Sequence, residues 1–358
     1  MQQLKKYGFI DGLRGVAILL VMFDHVGMVL PPAVGYTAMS VYGKYGVQLF
    51  FVLSAFTLCH SLERTATPSK VALEGYWIKR WFRIAPLYYL AIPIYYIFLK
   101  LNPHATNWIL LEDFHAKNIV ANLLFVHGFI ASANNSIVPG GWSIGCEFAF
   151  YAIFPFLFWY LFTPLRLIGS ALASYGLLFS VMWLRWKMGR EFKWEGNTFL
   201  HFFIGNQMIC FLLGMAVYKW RQTALFKTSL TILVLPALMG LLYINQLKWG
   251  WVLSPVLAAI VLSNVVCFCF NRNMPNWLQS IGRHSFSMYI LHFMFVWWIA
   301  RLPILNVQLQ PWIVLPLLVL LVWGISAIVH RFIEQPGIDQ GHRIAQKLHR
   351  RFEKPAAV

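Results

Sequence analysis

Charge is what this sequence has least of. Asp, Glu, Lys and Arg together make up 11% of its 358 residues, against about 25% in ordinary soluble domains. A soluble fold of this size could not cover its surface with so few charged side chains. Acidic residues are the scarcest, with 12 Asp+Glu against 29 Lys+Arg and a formal charge of +17. The five cysteines, Cys59, Cys146, Cys210, Cys267 and Cys269, lie in apolar stretches, and none forms a Cys-x-x-Cys pair. That spacing offers neither a disulfide framework nor a zinc site, so no bound metal is expected. Internal repeats, low-complexity segments and a linker to a soluble domain are also lacking.

What is abundant is apolar sequence: hydrophobic residues make up 59% of the chain. A helix needs about 20 predominantly apolar residues to cross a bilayer. Ten segments meet that need, some roughly: Val16–Leu30, Gly46–Leu62, Ile84–Leu101, Trp142–Phe162, Leu167–Leu184, Phe199–Tyr218, Leu230–Ile244, Trp251–Phe270, Ser285–Ala300 and Trp312–Phe332. Ile119–Ile130 is too short to span and reads as a re-entrant or interfacial helix. Lys5 and Lys6 ahead of the first run imitate a signal peptide, but Asp24 and His25 inside it argue for a retained span.

The basic excess has three readings. Nucleic-acid binding would want a polar chain with basic patches and is excluded by the composition. Membrane orientation by positive charge and an anionic cofactor are compatible with it and with each other. With the N-terminus inside and ten alternating spans, 20 of the 29 Lys and Arg fall on the inner side. The outer loop with Arg185, Lys187, Arg190 and Lys193 is the weak point of that count. Tryptophans near the outer ends, including Trp142, Trp183, Trp186, Trp249, Trp297, Trp298 and Trp312, suggest an interfacial belt. The expected fold is therefore all-α: a polytopic membrane protein of about ten helices, N-in and C-in. A single membrane domain would cover residues 1–336, with a basic cytosolic tail over 337–358.

Titratable groups inside a span are costly and mark functional positions by default. Here they are Asp24, His25, Glu147, His201, His292 and His60. Arg14 and His25 are eleven residues apart, so they share a helix face and are separated by about 16 Å of rise. An imidazole is the side chain best suited to take a proton near neutral pH. Asp24, about 100° round the helix, suits a partner on another helix. Arg80 and Arg83 share a face just before the third segment, and Pro86 suits the first turn of a new helix. They read either as an interfacial anchor or as a phosphate clamp, because the arginine fork matches phosphate oxygens. Glu147 lies about 7 Å inside its span. It could orient a histidine, bind a hydroxyl or pair with an arginine.

The order of these pieces resembles acyltransferase family 3, the polytopic O-acyltransferases of cell-surface glycans. Ile10-Asp11-Gly12-Leu13-Arg14-Gly15 followed by His25 is similar to the family opening. Gly46 to Ser54 resembles the second-helix signature, and Arg80-x-x-Arg83-x-x-Pro86 the basic motif. Trp142-Ser143 with Glu147 and Tyr151 resembles the central motif. Ile281-Gly282 through Ser285, Ser287, Tyr289 and His292 is similar to the penultimate helix, and His330 to Pro336 to the closing motif. Two departures stand out: Ala55 replaces a glycine, and Gly145-Cys146 replace a polar-aliphatic pair. No appended extracytoplasmic hydrolase-like domain is expected.

The resemblance implies acetyl-CoA as acyl-donor co-substrate, with no tightly bound cofactor, and a glycan or lipid-linked sugar as acceptor. Carried over, the general base is His25, and Arg14, Arg80 and Arg83 meet the anionic CoA; Glu147, the second expected catalytic residue, would hold the acceptor sugar or orient His25. Trp142, Ser143 and Tyr151 are the expected substrate-binding residues. The site of action would be the inner membrane, reached by the acceptor from the outer side past Ser132–Trp142. A proton-coupled secondary transporter or glycan exporter is the alternative, since intramembrane His and Glu also suit proton relays. A structural membrane protein is a third reading; it would tolerate loss of His25 and Glu147 together.

Overall fold

The computed structural model describes residues 8–63, 69–102, 109–188, 198–244, 247, 250–299 and 310–353. Lys5, Lys6, Arg64, Arg190, Lys193, Trp249, Ala300 and Lys354 lie outside these residues. All regular structure among the described residues is helical. In chain order the helices are α1 (Gly8–Val29), α2 (Tyr36–Ser40), α3 (Gly46–Glu63), α4 (Lys70–Leu101), α5 (Ala116–Leu123), α6 (Gly141–Tyr160), α7 (Pro164–Lys187) and α8 (Thr198–Phe202). There follow α9 (Ile204–Trp220), α10 (Ala224–Tyr243), α11 (Gly250–Cys269), α12 (Asn276–Arg283), α13 (Ser285–Ile299), α14 (Pro311–Val329) and α15 (Gln335–Glu353).

Nine helical stretches among the described residues are long and apolar enough to cross a membrane. The shorter apolar helix Ser285–Ile299 adds a tenth, so the segments expected from the sequence all appear as helices. Segment Ile119–Ile130 folds as the eight-residue α5 and a one-turn 3-10 helix at His127–Phe129, too short to span.

The bundle is layered by burial. Helices α3 and α9 bury most of their side chains, whereas α7 and α10 bury only three each. Lipid tails are as apolar as leucine, so outward-facing apolar residues need no protein partner. Trp183, Trp186, Trp298 and Trp312 are exposed, as an interfacial belt requires, but Trp142 and Trp297 are buried and serve the interior.

Helix α1 is the axis of the site. It packs against α3, α12, α13 and α14. Its crossing with α12 is backbone on backbone: a Cβ at Gly282 would lie 1.7 Å from the Asp11 carbonyl oxygen. Small residues allow such close crossings, which replace the missing hydrophobic drive between helices in lipid.

One local expectation is corrected. Pro86 does not open a new helix; it lies inside the continuous 32-residue helix α4, as does Pro93. Membrane helices tolerate internal proline where neighbours cover the freed backbone. Here the carbonyl freed by Pro86 is that of Phe82, and Gly337 of α15 lies against it. The segment after Pro336 is accordingly an ordered amphipathic helix packed along α4.

Candidate active site

Two cavities meet in the bundle. The first, an open space of about 660 Å³, is lined by residues of α1, α3, α4, α6 and α13. Arg14, Arg80 and Arg83 all face it, together with Glu147, Ser143 and Tyr151. The structure therefore brings six of the residues singled out in the sequence into one chamber. The arginines arrive there from two helices because α4 continues through Pro86, keeping Arg80 and Arg83 one turn apart on one face. Arg14 and Arg83 are near enough to repel each other, and Glu147 and Tyr151 face Arg14 and Arg80. The Arg80 guanidinium lies 5.9 Å from the centroid of the Tyr76 ring, and its buried Nε has no hydrogen-bond partner. Arg14 reaches Thr57 Oγ1, at 3.5 Å. Three guanidinium groups thus face a single lining carboxylate. A chamber with that balance favours an anionic ligand, and the planar fork favours phosphate or carboxylate oxygens.

The second cavity is larger, about 1760 Å³ of open space, and holds His25. Its wall includes Asp24, Lys44, Gln48, Trp142 and His201. Loop residues Ser132, Asn134, Asn135, Ser136 and Pro139 complete it. Trp142 stacks on Phe202 with ring centroids 4.2 Å apart and an interplanar angle of 10°. Asp24 is directed at the 3-10 turn Gly43–Tyr45, where it meets Lys44. It belongs to that contact between elements, as its position round the helix suggested.

The arrangement around His25 was not legible in the sequence. His292 Nε2 stands 3.0 Å from His25 Nδ1. His292 Nδ1 lies 2.8 Å from the Tyr289 carbonyl and 3.2 Å from that of Met288. A carbonyl can only accept, so His292 Nδ1 carries the proton and, in the neutral ring, its Nε2 accepts. The proton between the rings then belongs to His25 Nδ1, and the His25 lone pair sits on Nε2. A chain of two imidazoles anchored on a backbone carbonyl fixes the tautomer a general base needs. His25 also packs its ring 4.2 Å from that of Phe293.

Glu147 lines the arginine cavity and not the His25 cavity. Ser143 Oγ lies 2.9 Å from the Tyr289 hydroxyl and 3.0 Å from the Gly140 carbonyl. Tyr151 meets Ser54 Oγ at 3.4 Å. Val47 and Tyr289 line both cavities and so form their common wall. Sequence reasoning named Tyr289 and His292 as parts of a motif but gave them no role. Their signal was polar chemistry inside a 15-residue apolar helix; their partners lie too far along the chain to be read from spacing. Among the described residues no group of three or more His, Cys, Asp or Glu could hold a metal.

The acyltransferase-domain family profile matches residues 7–331. The chain is similar to the acyltransferase MdmB of Streptomyces mycarofaciens, with 23% identity over 322 residues, covering 80% of this chain and 78% of that one. It is also similar to "Protein 2 in picA locus" of Rhizobium radiobacter, with 30% identity over 172 residues, 42% of this chain and 81% of that one. No solved structure matches it.

Proposed function

Because the chain belongs to acyltransferase family 3 and is a multi-pass membrane acyltransferase, we propose that it moves an acetyl group from acetyl-CoA to a hydroxyl of a glycan or lipid-linked sugar. The single observation that carries this reading is the pairing of two chambers. One gathers Arg14, Arg80 and Arg83; the next holds a tautomer-fixed His25, and they share a wall.

In this reading the donor reaches the arginine cavity from the cytosol, and its phosphates rest on Arg14, Arg80 and Arg83. The pantetheine arm brings the thioester to the shared wall. The acceptor sits in the larger cavity, beneath the Ser132–Trp142 loop and against Trp142. His25 Nε2 takes the proton as the sugar oxygen attacks the thioester carbonyl. The carbon–sulfur bond then breaks, and the thiolate is reprotonated from the imidazolium. A general base of this kind contributes about 10²–10⁴ in rate, with positioning supplying much of the rest. Glu147, Ser143 and Tyr151 surround the donor side and hold the substrates where the chambers meet. In this reading the chain sits in the inner membrane, and the distribution of its basic residues supports cytosolic termini.

The test is acetyl transfer from radiolabelled acetyl-CoA by the purified protein in lipid nanodiscs, with a saccharide acceptor mixture. Transfer that disappears in His25→Ala is the expected result. Wild-type turnover in that variant overturns the assignment of the base. The acceptor is then identified from the mass of acetylated glycan in cells with and without the gene.

A further inference from the structure

The wall between the two cavities carries one polar side chain, the phenol of Tyr289. In the proposed reaction the thioester has to meet the acceptor at this wall. The Tyr289 hydroxyl donates to the Gly140 carbonyl at 3.0 Å and receives Ser143 Oγ at 2.9 Å. Gly140 has a φ of +74°, and a Cβ there would stand 2.7 Å from the Tyr289 hydroxyl. The phenol is thus seated directly on backbone that only glycine accommodates readily. The Tyr289 backbone carbonyl accepts from His292 Nδ1. Tyr289 therefore anchors the histidine pair with its backbone and faces both substrates' chambers with its side chain.

We propose that Tyr289 is the oxyanion donor of the transfer step, a role that rests on the acyl-transfer reading above. When the acceptor oxygen attacks, the carbonyl oxygen becomes an oxyanion and the acceptor proton passes to His25 Nε2. The Tyr289 O–H turns from the Gly140 carbonyl to this oxyanion. It stays protonated throughout. When the carbon–sulfur bond breaks, the carbonyl re-forms and the hydroxyl returns to Gly140. A neutral carbonyl acceptor is a weaker partner than an oxyanion, so the switch favours the tetrahedral species over the ground state. Ser143 remains behind to hold the phenol's orientation.

The experiment measures single-turnover acetyl transfer and steady-state kcat and KM for the full chain in nanodiscs. Tyr289→Phe keeps the ring that divides the cavities and removes the hydrogen bond. Its rate is expected to fall about 10²-fold, with both KM values within threefold of wild type. A ring-fluorinated tyrosine at position 289, a stronger donor of nearly the same size, is expected to match or exceed the wild-type rate. A Tyr289→Phe rate within threefold of wild type overturns the proposal, as does a change confined to KM. Should the phenylalanine variant fail to fold, a fluorotyrosine rate well below wild type overturns it alone. If wild-type protein transfers nothing from acetyl-CoA, the acyl-transfer reading itself has failed; normal wild-type transfer with a silent position 289 rejects only the role of Tyr289.

Discussion

The His25–His292 pair shows how a residue acquires chemistry from its neighbour. Alone, an imidazole in a span has two equivalent tautomers. The Tyr289 carbonyl removes that choice at His292, and His292 removes it at His25. The two rings therefore differ in what their loss should do. His25→Ala is expected to lower acetyl transfer by about 10²–10⁴. His292→Ala is expected to lower it less, because water or the Val21 carbonyl, which also bonds His25, can still orient the base. The double variant should be no slower than His25→Ala alone, and single-turnover rates check this; a multiplicative loss would mean that His292 acts independently of His25. At this scale Arg14, His25 and Glu147 were legible because a titratable group in an apolar run is visible without a fold. The His25–His292 contact was not, since it joins positions 267 residues apart.

Helix α1 carries Arg14 into one chamber and His25 into the other, a spacing set by helical rise and already present in the sequence. What the sequence did not give was the placement of α1. That depends on its backbone contact with α12 at Gly282 and Gly15, where a Cβ would meet the Asp11 and Leu278 carbonyls. Gly282→Ala is expected to destabilise the fold by about 1–3 kcal/mol through overpacking, read as a lower thermal midpoint in detergent. An unchanged midpoint would show that the crossing is looser than its geometry indicates. Helix α4 teaches a related lesson. Local rules make Pro86 a helix start, yet tertiary cover by α15 lets one helix run through it, and this continuity brings Arg80 and Arg83 to the cavity.

For the molecule as a whole, the proposed reaction divides two chambers that share a wall between an anionic donor and a polar acceptor. Arg80→Ala combined with Arg83→Ala is expected to raise the KM for acetyl-CoA at least tenfold with little change in that for the acceptor. The wild-type KM should also rise with ionic strength, and more steeply than that of the variant, because salt screens the attraction that draws an anionic donor to the arginines as it approaches from solvent. Equal salt dependence in both would remove the arginines from donor binding. Trp142→Ala should show the opposite pattern, weakening the acceptor while leaving the donor KM near wild type. A donor effect of similar size would argue that Trp142 acts only by packing on Phe202.

The sequence by itself determined the class of molecule. Scarce charge and ten apolar runs require a helical membrane bundle, since only closed hydrogen bonding survives in lipid. It also exposed the costly side chains, because an ionisable group in such a run needs a partner or a function to offset its burial. Only the tertiary structure decided which of them meet. It grouped Glu147 with the arginines, gave His25 a histidine partner and placed Tyr289 between the chambers. Those outcomes depend on helix crossings set by close backbone contacts, and such contacts join residues whose separation along the chain carries no signal.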